Sequence, residues 1–179
     1  MVAVSSIARI VLYAVAFLLS IIVLASIDLA YNAWDLPRDI GCPLKLTATG
    51  GEREACDYAL AIGAIYLVVS AVFLIAGIVF AVKGSTMRIL QMIELGLSAI
   101  AVVLWLAAAA LITDGTKTLC DNFDCDSEVD VSGTTISSQS TKMHTAEGAA
   151  WVALIVWIAL TVLNALQLRG GAKASAAAV

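Results

Sequence analysis

Four long apolar stretches, separated by short or strongly polar segments, set the pattern of this chain. Residues 10–27 run for 18 positions without a charge, 58–82 for 25, 89–113 for 25 with Glu94 as the single ionisable group, and 148–168 for 21. A helix rising about 1.5 Å per residue crosses a hydrocarbon layer of about 30 Å in roughly 20 residues. Each stretch therefore predicts a membrane-spanning helix, and the longer two must tilt or project past the lipid. The first could instead be a cleaved signal sequence, but only one Arg precedes it and it is read as a span. In the second, Gly63, Ser70, Gly77 and Gly84 recur every seven residues. That spacing lays small side chains along one stripe where another backbone can approach, with Leu67, Leu74 and Ala81 beside it. The predicted fold is an all-α membrane protein, a left-handed bundle of four transmembrane helices with crossing angles near +20°.

Composition agrees. The chain is 61% apolar and 13% charged, against about a quarter charged in a soluble domain, so a water-soluble globule is excluded. A net charge of −4 and the lack of any Lys/Arg run argue against a nucleic-acid partner.

Four spans draw an M: both termini and the linker 83–88 on one side, two long loops, 28–57 and 114–147, on the other. All of 1–179 is read as one tetraspan domain, with 169–179 a small-residue, disordered tail. Each side carries five Lys/Arg, but on the termini side they sit within 26 residues free of acids. The 64 loop residues dilute theirs with thirteen Asp/Glu, giving −8 outside against +5 inside. Basic density places the termini in the cytosol, where +5 suits anionic lipids. The cysteines give the same answer: Cys42 and Cys56 lie in the first loop, Cys120 and Cys125 in the second. An even set confined to one face suits an oxidising lumen or exterior, hence a multi-pass protein of the plasma membrane or of secretory or vesicle membranes. Three pairings are open, and pairing within each loop is the simplest. Tyr31, Trp34, Tyr58 and Trp151 fall near the outer boundary as interfacial anchors.

Glu94 is the most informative residue. It lies about six residues, or roughly 9 Å, inside the boundary, where a carboxylate is costly unless paired or protonated. Asn164 and Gln167 reach a comparable depth on the fourth span, and Arg9 opens the first span at the same face. The expected arrangement is a polar cluster of Glu94 with Asn164 or Gln167 and Arg9. It acts as an interhelical clasp, with a proton or ion site as the functional alternative. In the second loop Asp124, Asp126, Glu128 and Asp130 alternate, a weak calcium candidate without the Gly and terminal Glu of an EF-hand. A solvated acidic loop with a Ser/Thr-rich tail to Thr145 is the plainer reading. Arg9, Tyr13 and Val15 match a loose sterol-contact pattern, so a bound lipid or sterol is the one non-protein group entertained. No metal site and no catalytic set are read: His144 is the single histidine, and no nucleophile has an evident base.

Two resemblances follow from these residues. Arg9-Ile-Val-Leu-Tyr13, Ile93-Glu94-Leu95-Gly96-Leu97-Ser98 and Trp105-Leu106-Ala107-Ala108-Ala109-Ala110, with Cys120, Cys125, Trp151 and Trp157, resemble MARVEL-domain proteins of the small fungal type, from about Ile7 to Leu168. That resemblance implies an M-shaped tetraspan acting in vesicle traffic, membrane apposition or sterol-rich domains. Glu94 and Trp105 would be its characteristic third-span positions, and Cys120 with Cys125 its second-loop pair. The first loop, with its own Cys42 and Cys56, is longer than in compact relatives. Claudins are the weaker resemblance: also tetraspan with a first-loop disulfide, and here with Trp34 before Cys42, but lacking the Trp, Gly-Leu-Trp and closely spaced Cys pattern. They imply a barrier or channel at cell contacts. The resulting expectation is a non-enzymatic protein that organises membrane through self-association, lipid contact and partners met at its outer loops. A claudin-like contact protein stands second, and a small proton- or ion-coupled transporter using Glu94 third.

Overall fold

The computed structural model describes residues 2–33, 54–83, 88–122, 130–131 and 134–176, with side chains for the central part of each helix. The chain forms α1 (Val2–Ala33), α2 (Glu54–Lys83), α3 (Arg88–Asn122), β1 (Asp130–Val131), β2 (Thr134–Thr135) and α4 (Ile136–Ala176). The strands are a two-residue antiparallel pair, Asp130 opposite Thr135 and Val131 opposite Thr134. All four helices are long and apolar enough to cross a membrane, over Ile7–Leu29, Cys56–Val82, Ile89–Thr118 and Thr141–Arg169. The protein is an all-α four-span bundle.

Its packing follows one spacing. The buried positions include Tyr13, Ala16, Ser20, Val23 and Ile27 on α1, and Cys56, Ala59, Gly63, Tyr66, Ser70 and Phe73 on α2. On α3 they include Glu94, Ser98, Ala101, Trp105, Ala108 and Ile112, and on α4 Met143, Ala146, Ala150, Ala153, Trp157, Leu160 and Asn164. Every series steps by alternating threes and fours. A mean of 3.5 residues, repeated on four helices, is the spacing that winds helices into a left-handed bundle. The outward positions are also apolar, with Val68, Ile75, Val103 and Ile155 all more than 60% exposed. In water such a surface would drive association; around a bundle of this length it is the face lipid covers.

α1 packs extensively against α2 and α4, and α3 against α4, whereas α2 and α3 meet over a much smaller contact. The Gly63 face belongs to the α1–α2 contact. A Cβ built on Gly63 would stand 3.0 Å from Leu24, and one on Gly77 would stand 3.3 Å from Ile10. Between them Ser70 is fully buried and bonds the Tyr66 carbonyl on its own helix at 2.6 Å. Gly84 lies outside the described residues.

Two expectations about segment ends are corrected. The Ser/Thr-rich run up to Thr145 is not loop: α4 already starts at Ile136, and Met143 and Ala146 carry its buried stripe well before residue 148. Nor is the tail disordered from residue 169, since the helix continues to Ala176; its Ala-rich composition favours extending a turn already formed. In the same way α1 and α3 run past their expected ends, to Ala33 and Asn122.

Candidate functional site: a buried ion pair between two helices

Near the starts of α1 and α3, at the extremity that carries the N-terminus, α1, α3 and α4 bring polar groups together. Arg9 opens the apolar part of α1, and Tyr13 follows one turn later on the same face, since residues four apart on a helix are neighbours. Glu94 enters from α3. Its two oxygens take different partners: the Tyr13 hydroxyl donates to Oε1 at 2.6 Å, and the Arg9 guanidinium donates to Oε2 at 3.3 Å. Both members of the ion pair are largely withdrawn from the surface, with side chains 11% and 6% exposed. In a low-dielectric setting a carboxylate is tolerated when a cation and a further donor meet it, and Glu94 has both.

Asn164 comes to the same region from α4, almost fully buried and close to the Tyr13 hydroxyl. Neither its amide nitrogen nor its carbonyl oxygen completes a hydrogen bond, and Arg9 Nε is likewise without a partner. Gln167, half-buried, is not drawn to Glu94. The structure thus joins Arg9 to Glu94, leaves Asn164 adjacent and Gln167 apart. Tyr13 is the member that reading the sequence missed, having noticed it only within a sterol-contact pattern; its place four residues after Arg9 was the available signal.

Toward the other end of the bundle the interior is filled by rings. Tyr13 stacks on Phe73 at 5.4 Å between centroids and meets Trp157 edge-on at 6.1 Å. Trp157 in turn lies 5.1 Å from Tyr66, and Tyr66 lies 6.4 Å from Trp105. Such offset and edge-to-face pairs add attraction to the burial of large apolar area. The buried hydroxyls of Ser20, Ser70, Ser98 and Thr116 all bond carbonyls of their own helices, so none extends the polar cluster along the axis.

A crevice borders the ion pair. Arg9, Ile10 and Tyr13 form its floor, Phe73, Ala76, Gly77 and Phe80 one wall, and Leu90, Gln91 and Glu94 the other.

At the opposite extremity Trp151 donates its indole N–H to the Thr113 hydroxyl at 3.0 Å, linking α4 to α3, and Tyr58 reaches the Leu104 carbonyl at 3.4 Å, linking α2 to α3. His144 faces Glu147 one turn away at 3.3 Å. Cys56, fully buried, and Cys120 are both disulfide-bonded, and no described cysteine is free. Cys42, Cys125, Trp34 and the acidic residues Asp124, Asp126 and Glu128 lie outside the described residues, and Asp130 is described in its backbone alone. Among the described residues no group of three or more His, Cys, Asp or Glu is placed to hold a metal ion.

The family model of the Transmembrane protein 179/179B Claudin domain matches residues 44–177. Comparison with curated proteins and with solved structures gives no match. The match falls on the second of the two resemblances; the MARVEL likeness, carried by short motifs in apolar helices that any four-span bundle can share, is not matched.

Proposed function

Since the chain belongs to the Transmembrane protein 179/179B Claudin domain family, we propose that it is a non-enzymatic membrane-contact protein. Its rigid four-span bundle presents disulfide-tied outer segments to partners and assembles laterally with copies of itself. The observation that carries this reading is the way the interior is used. Glu94 is engaged by Tyr13 and Arg9, and the Phe73, Tyr13, Trp157, Tyr66 and Trp105 rings fill the axis beyond it. A path for ions or protons through a single bundle would need polar groups or water along that axis. The bundle instead concentrates its polarity at one end and its rings in the middle, which suits a scaffold. Recognition is then left to surfaces: the lipid-facing sides and the loop extremity, where α3 and α4 continue beyond their apolar runs and Cys56 and Cys120 lie.

In this reading the termini are cytosolic, the loops face the exterior or a lumen, and the protein resides in the plasma membrane or in secretory or vesicle membranes. The partners are membrane lipids, further copies of the chain and proteins met at the acidic outer loops. Whether such contacts organise a patch of one membrane or form a claudin-like barrier between two is a finer distinction within this role. Reconstitution into giant vesicles tests the whole. Clustering in the plane or adhesion between vesicles, with no ion or proton flux above protein-free controls, is the expected result. Flux that disappears in Glu94→Gln, with the fold retained, would replace the contact role by transport.

A further inference from the structure

We propose that the outward face of α3 is the surface on which the chain pairs with a second copy of itself, about a two-fold axis along the membrane normal. This deepens the contact role and rests on the self-association within it, naming the helix through which copies meet.

The outward faces of the four helices differ. Three carry large side chains: Leu18 and Ile22 on α1, Val68 and Ile75 on α2, Ile155 and Val162 on α4, all exposed. On α3 the corresponding line is Gly96, Ala99, Val103, Ala107 and Ala110, again all exposed. By helical spacing it lies opposite the buried Glu94, Ala101 and Ile112. Ile100 stands on one flank of the line and Leu106 on the other, so the face is a shallow trough into which a second helix can come close. Gly96 sharpens the contrast. A Cβ on Gly63 or Gly77 would press on Leu24 or Ile10 of α1, whereas one on Gly96 meets nothing within 4 Å. Inside a single chain that glycine only weakens the helix; against a neighbouring helix it permits close approach.

Charge complementarity says what covers the trough. The line continues past the apolar run to Asp114 and Lys117, both exposed and neither in an ion pair among the described residues. Three positions apart, they sit about 60° apart around the helix, one on each flank of the line. Copies inserted in one membrane share an orientation, so α3 meets α3 in parallel. A two-fold axis along the line then lays each flank against the opposite flank of the other copy. Asp114 of each copy is thereby set against Lys117 of the other, with an ion pair on each side of the axis. Lipid tails would leave both charges unused. An unrelated helix would need the same two charges in matching order, which a second copy has by construction.

The test is cross-linking of the full-length protein in liposomes with a bismaleimide, read on reducing gels. No described native cysteine is free, so an added cysteine supplies the reactive thiol. Val103→Cys and Ala110→Cys are expected to give dimers. Val68→Cys on α2 and Ile155→Cys on α4, at positions as exposed as Val103, should give about a tenth as much or less. Ala107→Leu, which fills the trough, should lower the Val103→Cys cross-link about tenfold while the dispersed monomer keeps its thermal midpoint. Lys117→Asp should weaken pairing to a similar degree, and mixing it with Asp114→Lys should restore pairing, because opposite charges again meet in the heterodimer. Cross-links through α2 or α4 in place of α3, with clustering retained, would overturn this interface and leave self-association standing. No cross-link at any position, together with no clustering in giant vesicles, would remove both. Undiminished pairing in a folded Ala107→Leu protein, or in Lys117→Asp alone, would also overturn the proposal.

Discussion

Tyr13 and Glu94, 81 positions apart in the chain, are joined by a buried hydrogen bond of 2.6 Å. It ties α1 to α3, which otherwise face each other across the bundle, with α2 and α4 as their main neighbours. Tyr13→Phe keeps the stacking on Phe73 and the edge contact with Trp157 but removes the donor. It should lower stability by about 1–2 kcal/mol, read as an earlier unfolding midpoint in a detergent titration. An unchanged midpoint would mean that the bond contributes nothing net.

The ion pair should show strong coupling. Glu94→Leu alone leaves the Arg9 guanidinium withdrawn and unpaired and should cost about 3 kcal/mol, whereas Glu94→Leu combined with Arg9→Met should recover most of that loss. A double-mutant cycle on unfolding free energies measures the difference. Simple additivity would show that Arg9 turns out to the headgroups once released and never depended on Glu94.

Two glycines should respond oppositely. At Gly63 the nearest atoms include the Leu24 branch carbon at 3.0 Å, not just its flexible tips, so Gly63→Val must push α1 away and should cost about 1–3 kcal/mol. At Gly96 an added Cβ meets nothing within 4 Å, and Gly96→Ala should gain up to about 1 kcal/mol from helix propensity. Thermal midpoints in one detergent compare them directly.

Removing a disulfide should loosen the loop extremity more than the ion-pair end. Cys56→Ser is expected to cost about 2–4 kcal/mol and to speed amide exchange near the start of α2, while exchange around Glu94 stays at the wild-type rate. Uniform loss of protection would show that the bundle melts as one unit.

The spans were legible because a charge-free run of such length has essentially one stable form in lipid. Their ends were not. Residues 136–147 read as a polar loop, yet Met143 and Ala146 extend the three-four spacing of Ala150, Ala153 and Trp157, and a helix already nucleated lengthens at small cost. Likewise, Glu94's need for a partner was plain from its depth. Which neighbour would fill its second oxygen depends on the rotation of α1 about its axis, set by how Ala16, Ser20 and Val23 seat in the bundle, and separation along the chain says nothing about that. Asn164 and Gln167, three residues apart, present the same difficulty: one is buried at 1% exposure and the other half-buried.

One uninterrupted stripe on α4 runs from Met143 to Asn164, and neither proline of the chain falls within α3 or α4. These two helices are therefore stiff rods without a joint. Force applied at their projecting tips, such as the pull of an engaged partner, travels along the axis to the far leaflet without being absorbed at a bend, so a grip outside is mechanically a grip on the whole molecule.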